Sequence, residues 1–181
     1  MSNECNEGNE GNEGNENQTD VYFDAIDLFI DKRNFSLAIK TATLLNEVKR
    51  TEALEKIINA CFEEMHPGFA VKAAALLNEV KRTEALEKVF DKCIKGFYLR
   101  ESLEAAVLMD GVQRLKALEA VLFIYVERGH LDEAIGIANS IPRDLRREEL
   151  NKILKMAIKL NEVMDMEKVV NLLVKESLLS L

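Results

Sequence analysis

The most constraining feature of this chain is an internal repeat with an offset of 32 residues. Residues 44–56, LLNEVKRTEALEK, recur letter for letter at residues 76–88. The same offset, extended in both directions, gives one apolar column of Tyr22, Leu54, Leu86, Leu118 and Leu150. A fixed period of this length indicates that each repeat cannot bury its apolar side alone and must pack on its neighbours. We therefore predict a stack of similar structural repeats.

Each repeat contains two amphipathic helical patterns separated by helix breakers. In the second repeat the first pattern places apolar residues at the spacing of one helix face: Leu54, Ile57, Ile58, Cys61 and Phe62. The second pattern has the same spacing and contains Ala70, Val71, Ala74 and Leu77. The breakers are Pro67-Gly68, Gly96 and Gly129-His130. With only two prolines and no tryptophan, the composition also favours helices.

These patterns predict an all-α fold, an α-solenoid of about five antiparallel helix-hairpin repeats. The expected repeats are 19–50, 51–82, 83–114, 115–146 and 147–181, with Thr51 and Thr83 as N-caps. Residues 1–18 contain consecutive Asn-Glu-Gly triplets, and we expect a disordered acidic tail there. The second helix of each of the first four repeats carries a small residue at the same place, and this residue should allow close helix packing. The four residues are Ala42, Ala74, Ala106 and Ala138.

The net charge of −8 is concentrated at the N-terminus. Residues 1–20 carry five Glu and one Asp without Lys or Arg, so the body retains −8 − (−6) = −2. A nearly neutral body argues against binding of nucleic acid through phosphates. The chain shows no secretory signal and no apolar run of about 18 residues, so we expect a cytoplasmic protein without a membrane span.

The sequence shows no catalytic or metal-binding constellation. Cys61 and Cys93 occupy one column, so we expect their Cα atoms roughly 8–10 Å apart and the thiols buried and unpaired. His66 and His130 are the only histidines, and neither has a second ligand at metal-binding spacing. No phosphate-cradling glycine loop or nucleophile elbow is present. We therefore predict a non-enzymatic protein without cofactor or metal.

An arginine closes each of four consecutive repeats, at Arg50, Arg82, Arg114 and Arg146. Each guanidinium could satisfy carbonyls at the end of the preceding helix or pair with a nearby acid. It could equally contribute to a ladder that binds carboxylates or phosphates. Both interpretations remain open from the sequence.

The spacing Leu118-x-x-Val121-Leu122-x-x-Tyr125, followed by Ala134-x-x-x-Ala138, resembles the tetratricopeptide repeat. Ala38 and Ala70 also fall on the characteristic alanine of that motif. The resemblance implies a superhelical scaffold whose concave side, lined by the first helices, binds a protein segment. The residues that we expect to contact this partner are Phe23, Asp24, Asp27, Asp31, Phe123, Lys152, Lys155 and Lys159.

The expected groove changes from acidic in the first repeat to basic in the last. We therefore expect a protein or peptide partner with basic residues near the N-terminal repeat and acidic residues near the last. Two alternatives are an RNA-binding helical-repeat module and a self-associating structural protein. The second alternative depends on residues 169–181, which are apolar for a terminal helix and could form a homodimer.

Overall fold

The structure, a computed structural model, describes the backbone of residues 10–178 and the side chains of residues 18–178 except Asp144. This part of the chain contains ten α-helices and no β-strand, which confirms the all-helical prediction. The helices are α1 (Glu10–Asp31), α2 (Phe35–Ala42), α3 (Glu47–Glu63), α4 (Pro67–Ala75), α5 (Glu79–Lys95), α6 (Leu99–Leu108), α7 (Gly111–Glu127), α8 (Leu131–Ala138), α9 (Arg143–Leu160) and α10 (Val163–Leu178). None of these described helices is long and apolar enough to cross a membrane.

The first helices of successive repeats begin at intervals of 32 residues, at Glu47, Glu79, Gly111 and Arg143. Each start lies four residues before the repeat boundary expected from the sequence. At the N-terminus, α1 begins at Glu10 and so includes residues 10–18 of the expected tail. Residues 1–9 of that tail, with Cys5, lie outside the described residues.

The prediction that Thr51 and Thr83 cap their helices is wrong. Both lie inside helices, and their hydroxyls donate to the carbonyls of Glu47 and Glu79, four residues earlier, at 2.9 and 3.3 Å. The capping residues are asparagines. The side-chain oxygen of Asn46 accepts from the backbone N–H of Lys49 at 3.0 Å, and that of Asn78 accepts from Lys81 at 3.1 Å.

The turn between the two helices of every repeat contains one residue in the left-handed conformation. These residues are Arg33, Met65, Phe97, Gly129 and Asn161, with φ between 55° and 74°. The next residue donates its N–H to a carbonyl five positions earlier in all five repeats, for example His66 to Cys61 at 2.7 Å and His130 to Tyr125 at 2.9 Å. This is the hydrogen bond of a Schellman helix ending, which supplies partners for carbonyls that the helix itself leaves unsatisfied.

Contacts within the chain define two compact units, and the boundary between Ala85 and Leu86 falls inside α5. In the N-terminal unit, α1 packs on α2, α2 on α3 and α3 on α4. First helices also contact each other there (α1 with α3), as do second helices (α2 with α4). Its core contains Ile26, Leu54 and Ile57, and Phe35, whose ring centroid lies 5.9 Å from that of Phe69.

The C-terminal unit repeats this arrangement. Helix α7 packs on α6 and α8, α9 packs on α8 and α10, and the same-type pairs are α7 with α9 and α8 with α10. The core is formed by large side chains from four of these helices: Leu118, Leu122, Leu131, Leu150, Ile153 and Val169. Neighbouring helices therefore pack on each other within each unit.

The alanine column and the two described cysteines are buried. Ala42, Ala74, Ala106 and Ala138 have no solvent-accessible surface, as expected for small residues at close helix contacts. Cys61 and Cys93 are unpaired and equally buried. Burial raises the pKa of both thiols to about 12, and Glu101 and Glu104 add to the effect at Cys93. Each is a small apolar core residue at the pH of the cell.

Candidate functional site

A depression of about 270 Å³ lies between α7 and α9. It is part of the first-helix surface of the C-terminal unit, by which we mean the surface formed by the first helices of the repeats, α5, α7 and α9. Its lining combines an aromatic ring with aliphatic and basic side chains: Phe123, Val126, Glu127, Lys152, Lys155, Met156 and Lys159. Phe123 is 61% exposed, although the residue before it on α7, Leu122, is buried. Four of the eight residues predicted to bind a partner therefore line one depression.

Helical geometry explains why these side chains reach the surface together. In α7 the core is formed by Leu118 and Leu122, and Phe123 is turned about 100° away from Leu122 around the helix axis. In α9, Ile153 and Ala157 are buried and anchor the helix. The lining residues of α9, at positions 152, 155, 156 and 159, have the i, i+3, i+4, i+7 spacing of one helix face.

The three lysines differ in how their charge is balanced. The ammonium of Lys152 lies 2.5 Å from a carboxylate oxygen of Glu149 and 3.3 Å from one of Glu148. The hydrogen bond that Lys152 donates to the carboxylate of Glu149 raises the pKa of Lys152. Lys155 and Lys159 are exposed, and neither forms an ion pair with any described residue. These two ammonium groups are available to an acidic ligand.

A second depression, of about 350 Å³, lies between α5 and α7 of the same unit. Helix α5 contributes two carboxylates and an aromatic ring, from Glu87, Asp91 and Phe90. The rest of the lining consists of Met109, which follows α6, and the α7 residues Val112, Gln113, Lys116 and Ala117. The lining thus changes from two carboxylates on α5, in one depression, to three lysines on α9, in the other. Met109 and Met156 were not identified from the sequence, because a Met at helical spacing has the same pattern as a core residue.

The four predicted residues of the first repeat lie on α1, in the N-terminal unit. Phe23 is half-buried, and the ammonium of Lys49 lies 5.5 Å from the centre of its ring. Asp27 is paired with Lys56 at 2.5 Å. Asp24 and Asp31 are exposed. Phe23 is therefore partly covered by a cation, whereas Phe123 is open.

Two of the four arginines that close the repeats, Arg50 and Arg146, bond to the helix ends that precede them. Arg50 donates to the carbonyls of Thr43 and Leu45 at 3.2 and 2.9 Å. Arg146 donates to the carbonyl of Ile141 at 3.1 and 3.2 Å and to the carboxylate of Glu176 at 2.9 Å. These contacts support the structural interpretation at both positions, because each guanidinium is engaged by its own chain.

The remaining chemistry of the described residues is limited. No group of three or more His, Cys, Asp or Glu side chains among them could hold a metal ion. Comparisons with protein-family models, with curated proteins and with solved structures found no match. The depression between α7 and α9, with its open aromatic ring and two unpaired ammonium groups, is therefore the candidate site on geometry alone.

Proposed function

We propose that this chain is a non-enzymatic cytoplasmic scaffold that binds a segment of a partner protein on its first-helix surface. The observation that carries the proposal is the exposed ring of Phe123 beside the unpaired ammonium groups of Lys155 and Lys159. A large aromatic side chain in a depression is the kind of residue that dominates binding energy at protein interfaces. Its burial by a partner would remove apolar surface from water.

The partner segment that fits this surface has an apolar side chain flanked by acidic residues. The apolar side chain would contact Phe123 and Met156, and the acidic residues would face Lys155 and Lys159. A basic residue further along the segment would face the carboxylates of the α5–α7 depression. Because these charges are exposed, they should set the orientation and the association rate more than the affinity.

We also propose that the repeats form a tetratricopeptide-like solenoid of helical hairpins. Two observations support this: four of the five first helices begin at 32-residue intervals, and helices of the same type contact each other within each unit. In such an arrangement the first helices of each unit line one surface. Asp24 and Asp31 on α1 are exposed, and they would contact basic residues of a segment bound to the N-terminal unit.

Selection of peptides from a phage-displayed library on the immobilised chain tests this proposal. We expect enrichment of peptides that carry at least two acidic residues next to an aromatic or aliphatic residue. Phe123→Ala should weaken these peptides about tenfold or more, as for an interface hot spot, and Lys155→Glu/Lys159→Glu should abolish their acidic preference. The matched control is Lys32→Glu/Lys40→Glu, which reverses two exposed lysines that line neither depression.

Two results would refute the proposal. One is a selection without enrichment, and the other is enriched peptides that bind the site variants and the control equally well. Circular dichroism of every variant separates loss of binding from loss of folding.

The RNA-binding alternative requires a continuous basic surface. The acidic side chains of Glu87, Asp91 and Glu127 interrupt the lysines on the first-helix surface of the C-terminal unit. We therefore expect no binding of a labelled poly-uridine probe at about 150 mM salt. Tight binding that falls steeply with added salt would favour the RNA-binding function instead.

A further inference from the structure

Helix α10 carries a set of exposed apolar side chains on the side that faces away from its own unit. They are between 44% and 69% exposed and comprise Val163, Met164, Val170, Val174 and Leu178. The opposite side of α10 packs on α9 and α8, where Val169 is fully buried. A water-facing apolar set of this size on one helix marks an interaction surface.

The exposed side of α10 has the pattern of a helix that packs against another helix. Met164, Asn171 and Leu178 recur every seven residues, and Val174 lies between the last two at i+3 from Asn171. This is the spacing of a helix–helix seam, with one polar residue at its centre. Glu167 and Lys175 lie four residues on either side of Asn171.

We propose that α10 pairs antiparallel with α10 of a second copy of this chain, about a twofold axis at Asn171. In this register Met164 faces Leu178 of the other copy, and Glu167 faces Lys175. Neither Glu167 nor Lys175 forms an ion pair with a described residue of its own chain, so both are available. A parallel pair would instead place like charges opposite each other, which is unfavourable.

The second copy is favoured because the surface is complementary to itself. A twofold interface uses the same patch on both partners, so every favourable pair occurs twice. The five apolar side chains supply on the order of 500 Å² per copy, less than the roughly 800 Å² per partner of a standard interface. The dimer is therefore weak, with a dissociation constant in the micromolar range. It is independent of the depression between α7 and α9, which contains no residue of α10.

Sedimentation equilibrium of the 181-residue chain at about 1–300 µM tests the proposal, since this range brackets a micromolar dissociation constant. We expect a monomer–dimer equilibrium that Met164→Glu weakens by at least tenfold, because it places a carboxylate against Leu178 of the other copy. The matched control is Val80→Glu, at a valine that is 82% exposed on α5, and it should leave the equilibrium unchanged. A chain that stays monomeric throughout, or a dimer that both variants leave intact, overturns the proposal.

Charge reversal tests the register. Glu167→Lys and Lys175→Glu should each weaken the homodimer several-fold, and the double variant should restore it. An equimolar mixture of the two single variants should form a heterodimer, because each of its two charge pairs is again of opposite sign. A mixture that associates no better than the separate variants overturns the antiparallel register.

Discussion

The left-handed residue in each interhelical turn predicts that Met65→Gly stabilises the chain. Met65 has φ 61°, and its side chain is 72% exposed, so its removal sacrifices little packing. A residue with a Cβ costs roughly 1–2 kcal/mol in this conformation, and glycine avoids that cost. Glycine also makes the unfolded chain more flexible, which offsets about 0.4–1 kcal/mol. The expected net gain is about 0.5–1 kcal/mol.

The matched control is Met65→Ala, which removes the same side chain and keeps the Cβ. It should leave stability nearly unchanged, so the difference between the two variants isolates the backbone conformation. The reverse change, Gly129→Ala, introduces a Cβ at φ 74° and 3.2 Å from a methyl carbon of Leu160. We expect it to cost about 1 kcal/mol, because the left-handed strain exceeds the entropy gained in the unfolded chain.

Thermal unfolding followed by circular dichroism at 222 nm measures these differences. A gain of about 0.5–1 kcal/mol should raise the midpoint of Met65→Gly by roughly 1–4 °C above that of Met65→Ala, since about 1 kcal/mol corresponds to roughly 2–4 °C for a chain of this length. Equal midpoints for the two variants would refute the reasoning. A Gly129→Ala variant as stable as the wild type would contradict it independently.

Three further predictions concern the Arg50 guanidinium, the two buried thiols and the Glu176 carboxylate. Arg50→Met should lower the free energy of unfolding by about 1–2 kcal/mol in urea titrations, because two backbone carbonyls lose their donor. In a Cys5→Ser background, Cys61 and Cys93 should stay unreactive toward a thiol reagent at pH 8 until the chain unfolds, because burial raises their pKa to about 12. The pKa of Glu176 is lowered, chiefly by a hydrogen bond from an arginine, so its contribution to stability is complete above its usual pKa of 4.5 and is lost as the pH falls through the lowered value. The thermal midpoints of the wild type and Glu176→Gln should therefore differ at pH 7 and converge in acid.

Local patterns in the sequence were sufficient to predict the helices and much of the core. Leu54, Leu118 and Leu150 of the repeated column are fully buried, as are the alanines of the second helices. These predictions succeed because a helix places residues three and four apart on one face, so burial follows from spacing within a single segment. The 32-residue period then carries the same assignment from one repeat to the next.

The ends of the helices depended on structure beyond the local pattern. Asn46 and Thr51 are both acceptable caps, and the position at which the preceding turn ends decides between them. Met65 and Phe97 adopt the left-handed conformation although neither is a glycine, so their residue type does not predict it. Their conformation follows from the packing of two helices against each other across a turn of three residues, 64–66 or 96–98.

The candidate site depended on tertiary structure most of all. From the sequence alone, Phe23 and Phe123 are both predicted on first helices, and both are equally good candidates for an aromatic contact with a partner. The structure places the ammonium of Lys49, from α3, 5.5 Å from the ring centre of Phe23 and leaves Phe123 open beside the lysines of α9. Exposure of an aromatic ring is decided by the side chains of the neighbouring helix, and those residues lie 26 or more positions away in the sequence. The helical pattern of one segment therefore determines which residues can reach the surface, and only the packing of helices determines which of them remain open to a partner.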